Sequence, residues 1–193
     1  MSRRPREAPV TIATRLHADG YLVALSGIDA EGVRRVAGKL GDGALGFEDV
    51  ATYIQSGNVV FRSPTADEGA VVSKLEREIA GAFAFSPSVL LRTPAQLEAI
   101  AASNPYLSRK ADLSKLHVVF LDRAPAARTA AKLDPERSPP DEFTLKRREI
   151  FLRLPHGAGR SKLNLDYFER VLGVRATQRN WNTVLKLIEL SHR

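Results

Sequence analysis

One order of strand and helix patterns occurs twice along this 193-residue chain, and few folds satisfy it. In the first half, a short apolar strand precedes a helical pattern, two strands joined by a polar turn, a second helical pattern and a fourth strand. The predicted strands are 21–25, 50–54, 59–62 and 89–91, and the predicted helices are 30–40 and 72–83. This βαββαβ order is that of a ferredoxin-like unit.

The second half repeats the order after a short helix predicted over 94–102 and a polar turn at Asn104-Pro105. Its predicted strands are 116–121, 142–145, 149–154 and 175–178, and its predicted helices are 126–133, 163–172 and 184–190. The sequence therefore predicts an α+β protein of two tandem ferredoxin-like units with a C-terminal helix. The expected boundaries are a flexible extension over 1–18, a first unit over 19–104 and a second unit with the closing helix over 112–193.

Composition excludes several classes of function. The chain has no cysteine, which excludes disulfides, thiolate zinc sites and a cysteine nucleophile, and which fits a cytoplasmic protein. No apolar run approaches the ~20 residues needed to cross a bilayer, so no membrane partner is expected. The histidines lie far apart and form no short metal-ligand pair: His17, His117, His156 and His192. We therefore expect no metal and no cofactor, and no complete catalytic set of residues is present.

The basic character of the chain belongs to its C-terminal part. Residues 137–193 contain 12 Lys or Arg against 6 Asp or Glu and so carry most of the formal net charge of +7. Such an asymmetry is a sign of a polyanionic partner, although solvated basic faces without a partner are commoner.

The strongest local chemistry lies in Gly159, Arg160, Ser161 and Lys162, which lead into an amphipathic run. A loop that enters a helix presents free N–H groups and a positive dipole end to an anion, and the two cations add charge-assisted contacts. The spacing differs from that of a Walker A loop. The alternative is structural: glycines make a turn and Ser161 caps a helix whose charges face water.

A second motif, Arg179, Asn180, Trp181 and Asn182, contains the only tryptophan. An indole beside an arginine can stack a base, and the asparagines can bind a base or sugar edge. The alternative is that Trp181 packs the last helix onto the second sheet while Asn180 or Asn182 caps that helix.

A second candidate patch is the predicted hairpin turn that carries Gln55, Ser56 and Asn58. These residue types form turns, and Gly57 would supply a positive φ there. A functional polar tip is the alternative, because loops often carry binding residues.

The run Thr52-Tyr53-Ile54-Gln55-Ser56-Gly57-Asn58-Val59-Val60-Phe61 resembles the hallmark of the bacterial family called domain of unknown function 1697. The closing segments 159–163 and 179–184 resemble that family's last motifs, in the same order. The resemblance implies a two-part α+β fold, and it brings no activity or cofactor with it.

One segment departs from the family pattern. After the first strand, relatives carry an Arg-Gly-Ile-Asn segment and paired glycines, whereas this chain reads Ser26-Gly27-Ile28-Asp29-Ala30-Glu31-Gly32. Because Asp29 and Glu31 repel anions, the residues argue against an anion site at this loop.

Three functions stay open from the sequence. The leading one is a non-catalytic module that binds a small phosphate-bearing or other anionic ligand at the basic C-terminal unit. The alternatives are an RNA- or DNA-binding protein that uses the same basic face, and an enzyme acting on a small anionic substrate.

Overall fold

The computed structural model describes residues 20–25, 30–41, 46–53, 58–83, 89–108 and 110–192. The first half contains β1 (Gly20–Leu25), α1 (Ala30–Gly41), β2 (Glu48–Tyr53), β3 (Asn58–Arg62), α2 (Glu68–Phe83), β4 (Val89–Arg92) and α3 (Pro94–Ser103). The second half contains β5 (Leu116–Leu121), α4 (Ala127–Ala130), β6 (Glu142–Lys146), β7 (Glu149–Arg153), α5 (Leu165–Leu172), β8 (Ala176–Asn180) and α6 (Trp181–Ser191).

Two antiparallel sheets of four strands hold these elements together. The strand orders are β2-β3-β1-β4 and β6-β7-β5-β8, so the second sheet repeats the arrangement of the first. The central strand β5 pairs with β7 on one side and with β8 on the other, as β1 pairs with β3 and β4. The described part of the chain is therefore an α+β fold with two sheets.

Alternating side chains give the second sheet two buried faces. Along β5, Val118 and Phe120 enter a central core, whereas Val119 and Leu121 enter an outer core that α5 covers. In the first sheet, Val60 points to the central core while its neighbours Val59 and Phe61 pack under α1 and α2. Successive residues of β5 therefore fill opposite cores, as the alternating side-chain directions of a strand require.

The inner faces of the two sheets share one core. Residues of both sheets meet α3 and α6 there: Val60, Leu90, Leu97, Ile100, Val118, Phe120, Phe151, Trp181, Val184 and Leu187. The sheets therefore face each other, with α3 and α6 in the layer between them. The hydrophobic pattern of the strands does not by itself predict this packing.

Local chemistry explains where the helices begin and end. α3 begins with a capping box, in which Thr93 Oγ1 accepts from Gln96 N and Gln96 Oε1 accepts from Thr93 N. α4 is a single turn rather than the helix predicted over 126–133. After this turn the chain forms 3₁₀-type hydrogen bonds, such as that from Leu133 N to Ala130 O, and then reaches Pro135. No helix in the described part of the chain is long and apolar enough to span a bilayer.

Candidate functional site

The Gly159–Lys162 loop forms a compact turn after β7. Gly157 has a φ of 85°, which glycine adopts freely, and one turn of 3₁₀ helix follows over Ala158–Arg160. Ser161, which the structural alternative makes the cap of the helix predicted over 163–172, does not cap it. That helix begins at Leu165, because Asn164 is the residue whose side chain caps it, by accepting from Tyr167 N at 2.9 Å. Ser161 Oγ accepts from Leu163 N at 3.0 Å within the loop.

A neighbouring loop holds the backbone of Lys162 in place. Lys162 N donates to Ser138 Oγ at 3.1 Å, and Lys162 O accepts from Arg137 Nε at 3.3 Å. The guanidinium carbon of Arg137 lies 4.2 Å from the centre of the Tyr167 ring, which is a favourable cation–π distance. A third cation is therefore fixed beside the loop.

The side chains of Arg160 and Lys162 are exposed. Within the described part of the chain neither forms an ion pair, whereas Arg153, Arg148 and Arg175 each pair with a carboxylate. These two cations are available to an anion from solution.

Arg179 is buried, with 7% of its surface exposed, and it joins the two halves of the chain. Its Nε donates to Asn58 Oδ1 at 2.7 Å and its Nη1 donates to Thr177 Oγ1 at 2.7 Å. Burial lowers the pKa of the guanidinium to about 10. The structure thus brings together Arg179 of the closing motif and Asn58 of the second candidate patch as an internal tie.

The rest of the closing motif starts α6. Asn180 Oδ1 accepts from Asn182 N at 2.9 Å, and Asn180 Nδ2 donates to Ser114 O at 3.1 Å. Trp181 is only 1% exposed and lies in the central core, so its ring faces contact protein. Asn182 is exposed.

The remaining sequence candidates fall on the first half. Gln55 and Ser56 lie outside the described residues, as does Asp29 of the segment that departs from the family pattern. Asn58 is fully buried, and its Nδ2 donates to Tyr53 O at 3.1 Å across the hairpin.

A buried ion pair between the halves was not foreseen from the sequence. Arg92 at the end of β4 donates through Nε to Glu149 Oε1 at 3.0 Å, and the two side chains are 4% and 10% exposed. Burial is the main cause that lowers the pKa of Arg92 to about 10. The only signal in the sequence was a cation at the end of an apolar strand, next to a helix-capping threonine.

The described residues offer little acid–base or metal chemistry. They contain no group of three or more His, Cys, Asp or Glu that could hold a metal ion. Burial lowers the pKa of His117 below 6.5 and so favours its neutral form. His117 lies on β5 and has no hydrogen-bond partner among the described residues.

Comparisons with known proteins identify a family and a fold. Residues 25–151 match the sequence model described as protein of unknown function (DUF1697). The closing motifs lie beyond that range. A solved structure, that of conserved bacterial protein SP0830 from Streptococcus pneumoniae, is similar with a TM-score of 0.67 and 22% identity, over 91% of this chain and 99% of that chain. At that identity the likeness concerns the fold. No curated protein matches the sequence.

Proposed function

We propose that this chain, which belongs to the DUF1697 family, is a non-catalytic module that binds a phosphate-bearing or other anionic ligand on its basic C-terminal unit. The observation that carries the proposal is the pair of exposed cations, Arg160 and Lys162, on a loop whose backbone is held by Arg137 and Ser138.

The proposal includes the architecture that presents this loop. Each sheet, with its helices, is a ferredoxin-like unit, the first over 19–104 and the second over 112–193. The supporting observation is that both sheets have the order second-third-first-fourth strand with antiparallel neighbours. In the second unit the loop follows the third strand, at the connection to α5.

A fixed backbone favours binding because less conformational entropy is lost when the cations close on a ligand. The guanidinium of Arg160 can donate two parallel bonds to phosphate or carboxylate oxygens, and the ammonium of Lys162 adds a point charge. The hydroxyl hydrogen of Ser161 is also available, since its oxygen acts as an acceptor for Leu163 N.

A thermal-shift titration with sulfate and with a nucleotide tests the proposal. An anion that binds the folded state alone raises the melting temperature, and at a concentration of 100 times Kd the stabilisation is about 2.7 kcal/mol. We expect Arg160→Ala to reduce this shift, and Lys162→Ala to act in the same direction.

The matched control is Arg128→Ala, which removes the same charge from an exposed position on α4 of the same unit. If Arg128→Ala and Arg160→Ala lose the shift equally, the ligand responds to overall charge and no site exists at the loop. A shift that persists unchanged in Arg160→Ala contradicts the proposal outright.

A further inference from the structure

A basic cleft lies at the opposite end of β7 from the Gly159–Lys162 loop, between the two halves of the molecule. One wall is a face of α3, where Gln96, Ile100 and Ser103 recur at helical spacing. The other wall is the turn that joins β6 to β7, with Lys146 and Arg147. The cavity measures about 440 Å³, which is the size of a small-molecule site.

Four cations and one carboxylate line this cleft, and their contacts divide them into two groups. Glu149 is neutralised by Arg92, and Arg148 pairs with Glu68 at 2.9 Å. Arg92 also donates to the carbonyl oxygens of Leu91 at 2.7 Å, Leu121 at 2.9 Å and Arg148 at 3.3 Å, so most of its N–H donors are engaged. These residues build the floor of the cleft and hold the turn in position.

The other two cations have donors to spare. Lys146 Nζ donates once, to Ser103 O at 2.7 Å across the cleft, and an ammonium carries three N–H donors. Arg147 is exposed and has no hydrogen bond or ion pair with any described residue. Its φ is 53°, in the left-handed region that favours glycine or asparagine, so a glycine would be the less strained choice at this turn.

The opposite wall offers a different chemistry. Ala99 and Ile100 present methyl and methylene groups, and the side-chain oxygen of Gln96 is already engaged with Thr93 N, which leaves the amide nitrogen to donate. A ligand that fits must therefore carry an anionic group for one wall and an apolar body for the other.

We propose that this cleft is a second binding site, separate from the Gly159–Lys162 loop, for a small organic anion: a phosphate monoester or carboxylate with an apolar or aromatic body. Lys146 and Arg147 bind the anionic group, and Ala99 and Ile100 contact the body. Arg92 is a positioning residue, which acts through Glu149 and the backbone of the turn.

Site-resolved NMR titration of the ¹⁵N-labelled protein tests the proposal with three probes. Phenyl phosphate and benzoate both carry the ring and differ in the anion, whereas inorganic phosphate lacks the ring. We expect phenyl phosphate or benzoate, or both, to shift the amides of α3 and of the β6–β7 turn. Which of the two binds more tightly identifies the anion, and inorganic phosphate should bind more weakly than the better probe.

Two variants locate the site. Arg147→Gly removes a charge at a position where glycine is unstrained, so the turn is retained, and it should weaken binding about tenfold or more. Ala99→Leu fills the cleft from an exposed helical position without changing the charge and should also weaken binding. Arg147→Lys keeps the charge and should retain much of the affinity.

Three results would overturn the proposal: no shifts at α3 and the turn with either ring-bearing probe, unchanged affinity in Arg147→Gly, or unchanged affinity in Ala99→Leu. Arg160→Ala distinguishes this site from the proposed function. Binding that is lost in Arg160→Ala and kept in Arg147→Gly belongs to the loop, whereas the reverse pattern supports the cleft, whatever happens at the loop.

Discussion

Replacing Glu149 by glutamine should destabilise the protein severely, because it leaves the buried charge of Arg92 without its counter-ion. Arg92 is 3% exposed, and Glu149 is the carboxylate that it contacts, at 3.0 Å. Removing one member of a buried pair typically costs 3–5 kcal/mol, since the remaining charge has left water without compensation. We therefore expect Glu149→Gln to lower the free energy of unfolding by about 3 kcal/mol or more.

Urea denaturation monitored by the fluorescence of Trp181 measures this effect, because that indole lies in the core between the two sheets. The matched control is Glu142→Gln, at the start of β6 in the same hairpin, where the carboxylate pairs with Arg153 and the two side chains are 47% and 42% exposed. An exposed pair contributes about 0–1 kcal/mol, so the control should unfold almost like the wild type.

The comparison between the two glutamine variants tests the reasoning. If Glu149→Gln costs no more than Glu142→Gln, the Arg92–Glu149 pair is solvated in practice and does not hold the two halves together. A changed m-value in Glu149→Gln would instead indicate that the two halves no longer unfold as one unit.

Further predictions concern the core, the pH dependence and the basic loop. Trp181→Ala should cost about 3–5 kcal/mol in urea unfolding followed by circular dichroism, since the variant lacks the fluorescent indole, and a small loss would show that α6 is not a core helix. The lowered pKa of His117 means that the unfolded chain binds a proton at higher pH than the folded chain, so stability should fall as the pH drops below 6.5. His117→Gln should reduce this loss of stability between pH 7.5 and 5.5, as measured by urea midpoints. An unchanged pH profile in the variant would exclude His117 as the source of the loss. Labelled single-stranded RNA in fluorescence anisotropy distinguishes a polyanion from a small ligand: binding that weakens steeply from about 50 to about 200 mM salt and is lost in Arg160→Ala would favour nucleic acid, and no binding would leave the small anion.

The order of elements could be predicted from the sequence because it depends on local patterns. The run Leu116–Leu121 has the length and composition of a buried strand, and it is β5. The end of α4 was harder to predict, since it depends on where the α-helical hydrogen bonds give way to 3₁₀-type bonds before Pro135. The shared central core could not be predicted, because an apolar run such as that of β5 indicates that both faces of the strand are buried without showing what covers each of them.

The candidate site was harder to predict than the fold, for a related reason. Asparagine, arginine and serine satisfy buried backbone groups and bind ligands with the same atoms, so sequence alone cannot separate the two uses. Asn180 illustrates the first use, since its oxygen caps α6 and its nitrogen donates to Ser114 O. Arg147 illustrates the second use in the proposed cleft, and its left-handed backbone angle, which is a property of the structure, could not be predicted from the sequence.

Burial is the property that decides between these uses, and it divides the basic residues of the second half. Arg179 is buried, and its guanidinium donates to the side-chain oxygens of Asn58 and Thr177, so an anion could reach it only if the two halves separated. Arg160 and Lys162 are exposed and have no such partners among the described residues. A ligand of the proposed Gly159–Lys162 site should therefore respond to Arg160, whereas Arg179 should affect its binding only through stability. Comparing the two alanine variants at equal fractions folded separates these effects, because a loss of affinity in the folded fraction of Arg179→Ala would mean that the internal tie shapes the binding surface after all.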